Sequence, residues 1–216
     1  MAGTRDELGE RRAGHRSRRP LLADAAIAVL AREGGRGLTH RAVDREAHVP
    51  EGTTKNYHPT RQSLLEAVAA RMAETHRAAV DRLRETTPAS ATPSQLRMLY
   101  PALIRRAVDG DPTQTLAMFE LYLEAVRRPA IRAALGEMVA ANARAIAELH
   151  RVAGVRSTVA DAGLLDATLL GVLVSQLALS EDTLSDIGLD DVDSVGTQLF
   201  DATTHYAAAP LPATAN

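Results

Sequence analysis

Six consecutive residues, Thr53, Thr54, Lys55, Asn56, Tyr57 and His58, all carry hydrogen-bonding side chains. The first five fit one short helix that starts at about Pro50 or Glu51 and stops at Tyr57, because Pro59 pushes His58 out of helical conformation. The chemistry open to such a helix is the reading of nucleic-acid edges. An Asn amide pairs bidentately with adenine, a Thr methyl meets the thymine methyl, and a Lys ammonium reaches a guanine edge or a phosphate. A polar helix lying in solvent has the same composition, so this stretch alone leaves both readings open.

Other arrangements for catalysis or metal binding are weaker. Cysteine is absent, which excludes disulfides and thiolate chemistry. His15, His40, His48, His58, His76, His150 and His205 are scattered without ligand spacing. Gly34, Gly35 and Gly37 lack the Lys-Ser/Thr sequel of a phosphate loop, and Ser175 and Ser180 have no nearby His and Asp. Glu120 and Glu124 stand one helical turn apart, read either as surface partners of Arg127 and Arg128 or as a carboxylate pair for catalysis. The expectation is a protein that is not an enzyme and holds no metal and no cofactor.

The elements that must position residues 53–58 read as helices. Of the 216 residues, 45% are hydrophobic but only 3% aromatic, and β-branched runs are scarce, which favours an all-α chain. Leu22, Ala26, Val29 and Leu30 share one stripe of a helix over about 20–33, which Gly34 and Gly35 stop. Thr39 can cap a second helix to about Ala47, with Val43 and Ala47 on one face, and Val49 to Gly52 make a turn. Thr60 can cap a long helix to about Glu85, 86–94 reads as a loop, and helical patterns follow over 95–108, 113–128, 129–153, 159–179 and 192–206. The first three helices make a helix-turn-helix, whose last helix enters a DNA major groove.

The stretch Leu38 to Val43, followed by Ala47 to Tyr57 and by Pro59 to Leu65, resembles the DNA-binding region of TetR-family regulators; the likeness covers about residues 20–72. It implies an all-helical homodimer with an N-terminal three-helix domain that binds double-stranded operator DNA and a variable, helical domain for a small-molecule effector and dimerisation. The DNA contacts carried over are Thr39, His40, Arg41, Glu51, Thr53, Thr54, Lys55, Asn56, Tyr57, His58, Thr60 and Arg61. Two positions depart from the family pattern: Thr54 stands where a large aliphatic residue is usual, and His58 where Phe is usual. Both places pack the reading helix onto its neighbours, and His58 is read either as a structural histidine or as a phosphate contact.

The chain then divides into a flexible basic arm (1–19), the DNA-binding domain (20–66), a ligand-binding and dimerisation domain (67–206) and a tail (207–216). Residues 1–72 hold 13 basic against 9 acidic residues, and residues 73–216 hold 12 against 18, so the basic end is the one to meet a polyanion. Ser17 to Leu22 superficially resembles a twin-arginine export signal, but Asp24 interrupts the apolar run and no cleavage region follows, which points to the cytoplasm. The apolar run Gly163 to Leu179 contains Asp166, Thr168, Ser175 and Gln176 and is read as a buried soluble helix, so no membrane is expected. Because that helix is apolar on nearly every side, Leu165, Leu169, Val172, Leu173 and, from the last helix, Leu199 are expected at a dimer interface, with burial inside one subunit as the alternative. Tyr100, Phe119, Tyr122, Asn142 and Gln176 are candidate ligand contacts. The expected function is a one-component transcriptional regulator, a repressor released from a palindromic operator by a small molecule. The alternatives are a constitutive or architectural DNA-binding protein without effector, and a helical enzyme.

Overall fold

The computed structural model describes residues 3–86 and 92–204, which leaves the expected tail and most of the expected loop after Glu85 outside the described residues. Among the described residues it holds only helices: α1 (Gly3–Gly37), α2 (His40–Glu46), α3 (Thr53–Tyr57), α4 (Arg61–Thr86), α5 (Pro93–Arg97), α6 (Leu99–Asp109), α7 (Thr113–Arg127), α8 (Pro129–Val152), α9 (Val159–Ala178), α10 (Glu181–Asp186) and α11 (Val192–Thr203). They fall into two compact units. One comprises Met1–Ala78 with Asp111–Met138, the other Ala79–Gly110 with Val139–Asn216. The division is not the one expected at residue 66: it falls within α4 and α8, and α7 belongs with the N-terminal helices.

In the first unit the apolar stripe of α1 forms the core, with Leu22, Val29 and Leu30 fully buried alongside Val43 of α2 and Leu64, Leu65 and Val68 of α4. Each such side chain contributes about 1.5–3 kcal/mol relative to an exposed position. Ala117, Leu121 and Ala125 of α7 are buried in the same unit, and α7 packs along α1. The helical backbone kinks at Gly34, whose φ of 68° lies in the left-handed region that glycine adopts without a Cβ penalty. The backbone of 3–19 is helical as part of α1, where a flexible arm is expected; six of its residues are Arg, a good helix former.

The second unit is built around Tyr100, Leu149, Leu165, Leu199 and Phe200, brought together from α6, α8, α9 and α11. α11 crosses α6 so closely that a Cβ on Gly196 would lie 2.5 Å from the Pro101 nitrogen, which makes the missing side chain a requirement of this crossing. Arg97 and Asp201 add a two-pronged ion pair, at 2.8 and 2.6 Å. α10 has no apolar period to reveal it in the sequence; the Ser180 hydroxyl caps it by accepting from the Thr183 N–H.

α9 differs from expectation in two ways. It is 20 residues long and apolar enough by length and composition to cross a membrane, and only 11% of its apolar window is buried, where the sequence pattern is read as a buried soluble helix. Leu165 and Leu199, expected at a dimer interface, are 0% and 7% exposed inside the core of this unit, so neither is available to a partner. Leu169, Val172 and Leu173 remain half-buried and Leu164 exposed.

Candidate nucleic-acid interface

α2 starts at a Thr39 cap whose hydroxyl accepts from the Ala42 N–H, and it ends in a turn through His48, held at a left-handed φ of 53°. α3 then begins at Gly52, also left-handed and without a side-chain cap of its own. Its five residues show two faces. Lys55 and Asn56 are exposed and Thr53 and Tyr57 half-buried, whereas Thr54 and His58, four residues apart, are 0% and 5% exposed. The outward face therefore carries an ammonium, an amide, a threonine hydroxyl and a phenol. The Arg19 guanidinium lies 5.9 Å from the centre of the Tyr57 ring, within cation–π range.

Three residues expected to touch DNA are turned into the protein. Thr54 is wholly buried, and its hydroxyl donates to Asp44 Oδ1 at 2.5 Å, which leaves no methyl for a base. His58 is buried, and its imidazole is held below the usual histidine range by burial and by the nearby Arg19 charge. Arg61 donates to the carbonyls of Leu38 and Gly35 and to Glu124 Oε1, so its fork is spent on binding α4 to the end of α1 and to α7. Of the others, Arg41 is exposed and paired with exposed Glu51 at 2.9 Å, and His40 is half-buried. Thr60 is exposed and shares its hydroxyl with Ser63.

Asp44 escaped the sequence reading. It is 3% exposed and accepts three hydrogen bonds, from the Gly52 N–H, the Thr54 N–H and the Thr54 hydroxyl. The signal lay in Thr54 itself: a hydroxyl at a packing position needs a buried partner, and Asp44 is the polar residue next to the apolar Val43. Glu120 and Glu124 also take a sharper role than surface pairing. Glu120 accepts from the Gly35 N–H at 2.8 Å, and Glu124 bonds both Arg61 and Arg128. Burial would raise the Glu124 carboxyl, but the hydrogen bond from Arg128 and the charge of Arg61 outweigh it and hold the group below the usual carboxylate range.

The candidate ligand residues do not share one unit. Phe119 and Tyr122 lie half-buried on α7 in the first; Tyr100, Asn142 and Gln176 lie in the second. There the Tyr100 hydroxyl is 2.8 Å from His150 Nε2, and burial together with the Asp166 charge raises its phenol above the ordinary range. Asn142 donates to Asp166 at 2.7 Å, while its Oδ1 is buried with no partner. Gln176 donates to the Leu189 carbonyl. Among the described residues, no group of three or more His, Asp or Glu is placed to hold a metal ion.

A profile of the tetracyclin repressor-like C-terminal domain matches residues 91–202. The HTH-type transcriptional repressor KstR of Mycobacterium tuberculosis is 32% identical over 117 residues, which are 54% of this chain and 51% of KstR, so the match spans about half the length of that relative. Among solved structures, the multidrug binding protein EbrR complexed with imidazole is 29% identical, with 91% of this chain and 97% of that one covered at a TM-score of 0.59. A TetR-family member from Streptomyces coelicolor is 28% identical, with 87% and 98% covered and a TM-score of 0.64.

Proposed function

The chain belongs to the TetR family of transcriptional regulators, and from that premise we propose that it is a ligand-responsive DNA-binding repressor whose α3 reads a palindromic operator in the major groove. The observation that carries this reading is the division of α3 into a buried face, Thr54 and His58, and an outward face on which Lys55 and Asn56 stand free of the core. Thr53, Lys55, Asn56 and Tyr57 are the proposed base and backbone contacts, with Thr39, Arg41 and Thr60 towards phosphates. Arginines of residues 1–19 add affinity for the polyanion rather than sequence preference.

The half-buried apolar residues Leu169, Val172 and Leu173 of α9 support a homodimer made through this helix, which gives an apolar surface a second copy to cover it. EbrR binds ethidium and proflavin, so an organic effector is the reading we adopt, with the unpartnered Asn142 Oδ1 as an acceptor for one of its donors. An effector that prefers a dimer whose reading helices are wrongly spaced lowers operator affinity by its preference between the two states.

Selection from random duplexes tests the reading. Two symmetric half-sites are expected with centres about 34–36 Å apart or a multiple of it; enrichment of asymmetric sites alone sinks the dimeric reader. Titration of proflavin into the DNA-free protein, then of the operator with and without an effector, tests the switch. Coupling is reciprocal, so equal effector affinity in free and operator-bound protein eliminates induction.

A further inference from the structure

α3 has too little of its own to hold a fixed direction. Its backbone bonds include Asn56 to the Gly52 carbonyl at 3.3 Å and His58 to the Thr54 carbonyl at 2.8 Å. Helices of this length do not persist alone, because nucleation costs more than a turn of hydrogen bonds returns. Its position must come from outside.

α2 supplies it at both ends. Asp44 and His40 are one turn apart on α2 and therefore on one face. Asp44 Oδ2 accepts from the Gly52 N–H at 2.7 Å, and Oδ1 accepts from the Thr54 N–H at 2.7 Å and the Thr54 hydroxyl at 2.5 Å, so the N–H groups that a helix start leaves open are satisfied from the neighbouring helix. At the other end, His40 Nε2 lies 2.6 Å from the His58 carbonyl; since the carbonyl only accepts, Nε2 carries the proton and donates. An acceptor meets the donors at the start, and a donor meets the acceptor at the end. The hydroxyl bond to Thr54 adds the rotation: turning α3 by one residue, about 100°, would take Thr54 out of reach of the carboxylate and exchange the outward set of side chains.

On the reading of α3 as the groove-entering helix, we propose that His40 and Asp44 form a two-point clamp that sets which base edges Lys55 and Asn56 reach, acting as positioning residues without touching DNA. His40 thus serves recognition from behind the helix, and Thr54 is the bolt of the clamp. Asp44→Asn keeps the volume but turns one amide N–H against a backbone donor. His40→Phe keeps a ring and removes the donor, and His40→Gln offers a donor again.

The test uses the full chain and three duplexes: the selected operator, a copy with one base pair changed in a half-site, and an unrelated sequence. Asp44→Asn and His40→Phe should each lower the preference for operator over the one-pair variant by about tenfold, within the range that one base pair commands, with affinity for the unrelated duplex unchanged. His40→Gln should recover the preference. Hydrogen exchange at the Gly52 and Thr54 amides should quicken in Asp44→Asn while circular dichroism stays native. Should Asp44→Asn fail to fold, Thr54→Val, which removes only the hydroxyl, and Thr54→Ser, which returns it, carry the same comparison. A native preference in folded variants, or a parallel loss on all three duplexes, overturns the clamp's role. No preference by the unsubstituted protein overturns DNA reading itself and the role with it, an outcome seen before any variant is made.

Discussion

Arg61, at the start of α4, and Glu124, on α7, form an ion pair at 2.9 Å in which the carboxylate side chain is only 12% exposed. Sixty-three residues separate them. The same guanidinium also holds the Gly35 and Leu38 carbonyls, and the neighbouring Glu120 takes the Gly35 N–H, so α7 is tied by charge-assisted bonds to the point where α1 ends.

Arg61→Ala should therefore cost about 1–3 kcal/mol by leaving buried carbonyls and a buried carboxylate short of a donor. Glu124→Gln should also destabilise, since its single amide oxygen can accept from only one of Arg61 and Arg128 and its NH2 then faces the other guanidinium. The double variant should lose less than the sum, by about 0.5 kcal/mol or more, the usual sign of groups that share a network. Urea unfolding of the four proteins measures this, and strict additivity would show that the two side chains do not act together.

His48 closes the α2–α3 turn at a φ of 53°, a conformation that costs an L-residue roughly 1 kcal/mol or more. Glycine has no Cβ to clash there. His48→Gly should raise the melting temperature by a few degrees without altering helix content; a lower value in differential scanning calorimetry would mean that the imidazole makes compensating contacts.

His150 is completely buried beside Tyr100 and Phe200, and burial lowers its pKa from 6.5 to about 4, against the opposing charge of Asp161. Between those two values the unfolded chain binds a proton that the folded chain refuses. Stability from this group is complete above about pH 6.5 and drains away as pH falls towards 4, by at most roughly 3 kcal/mol. Comparison of urea midpoints at pH 7 and pH 5 should show about 2 kcal/mol of that loss. The pair His150→Leu with Tyr100→Phe removes both polar partners and should flatten the dependence; an unchanged slope would assign it to other groups.

On α9, Val172→Arg should place a charge on a half-buried apolar face. If a second copy covers that face, sedimentation will find a folded monomer. A dimer of native affinity would remove α9 from the proposed interface.

Much of the local architecture was legible in the sequence, because caps and periodicity are short-range properties. Thr39, the Gly34 break and the leucine stripe of α1 mark helix ends and faces from within a few residues of themselves. The polar run 53–57 likewise announced a short helix with unusual chemistry. What a run of neighbours does not encode is which side chain meets which distant partner. Whether Thr54 turned outward to a base or inward to a carboxylate depended on Asp44, ten residues away on another helix. Arg61 looked like a DNA contact until α7 brought Glu124 beside it. In α9 the composition is apolar on every side, so no period distinguishes Leu165, sealed in the core, from Leu169 and Val172, left half-open; only packing of α6, α8 and α11 against one face of that helix decided the matter.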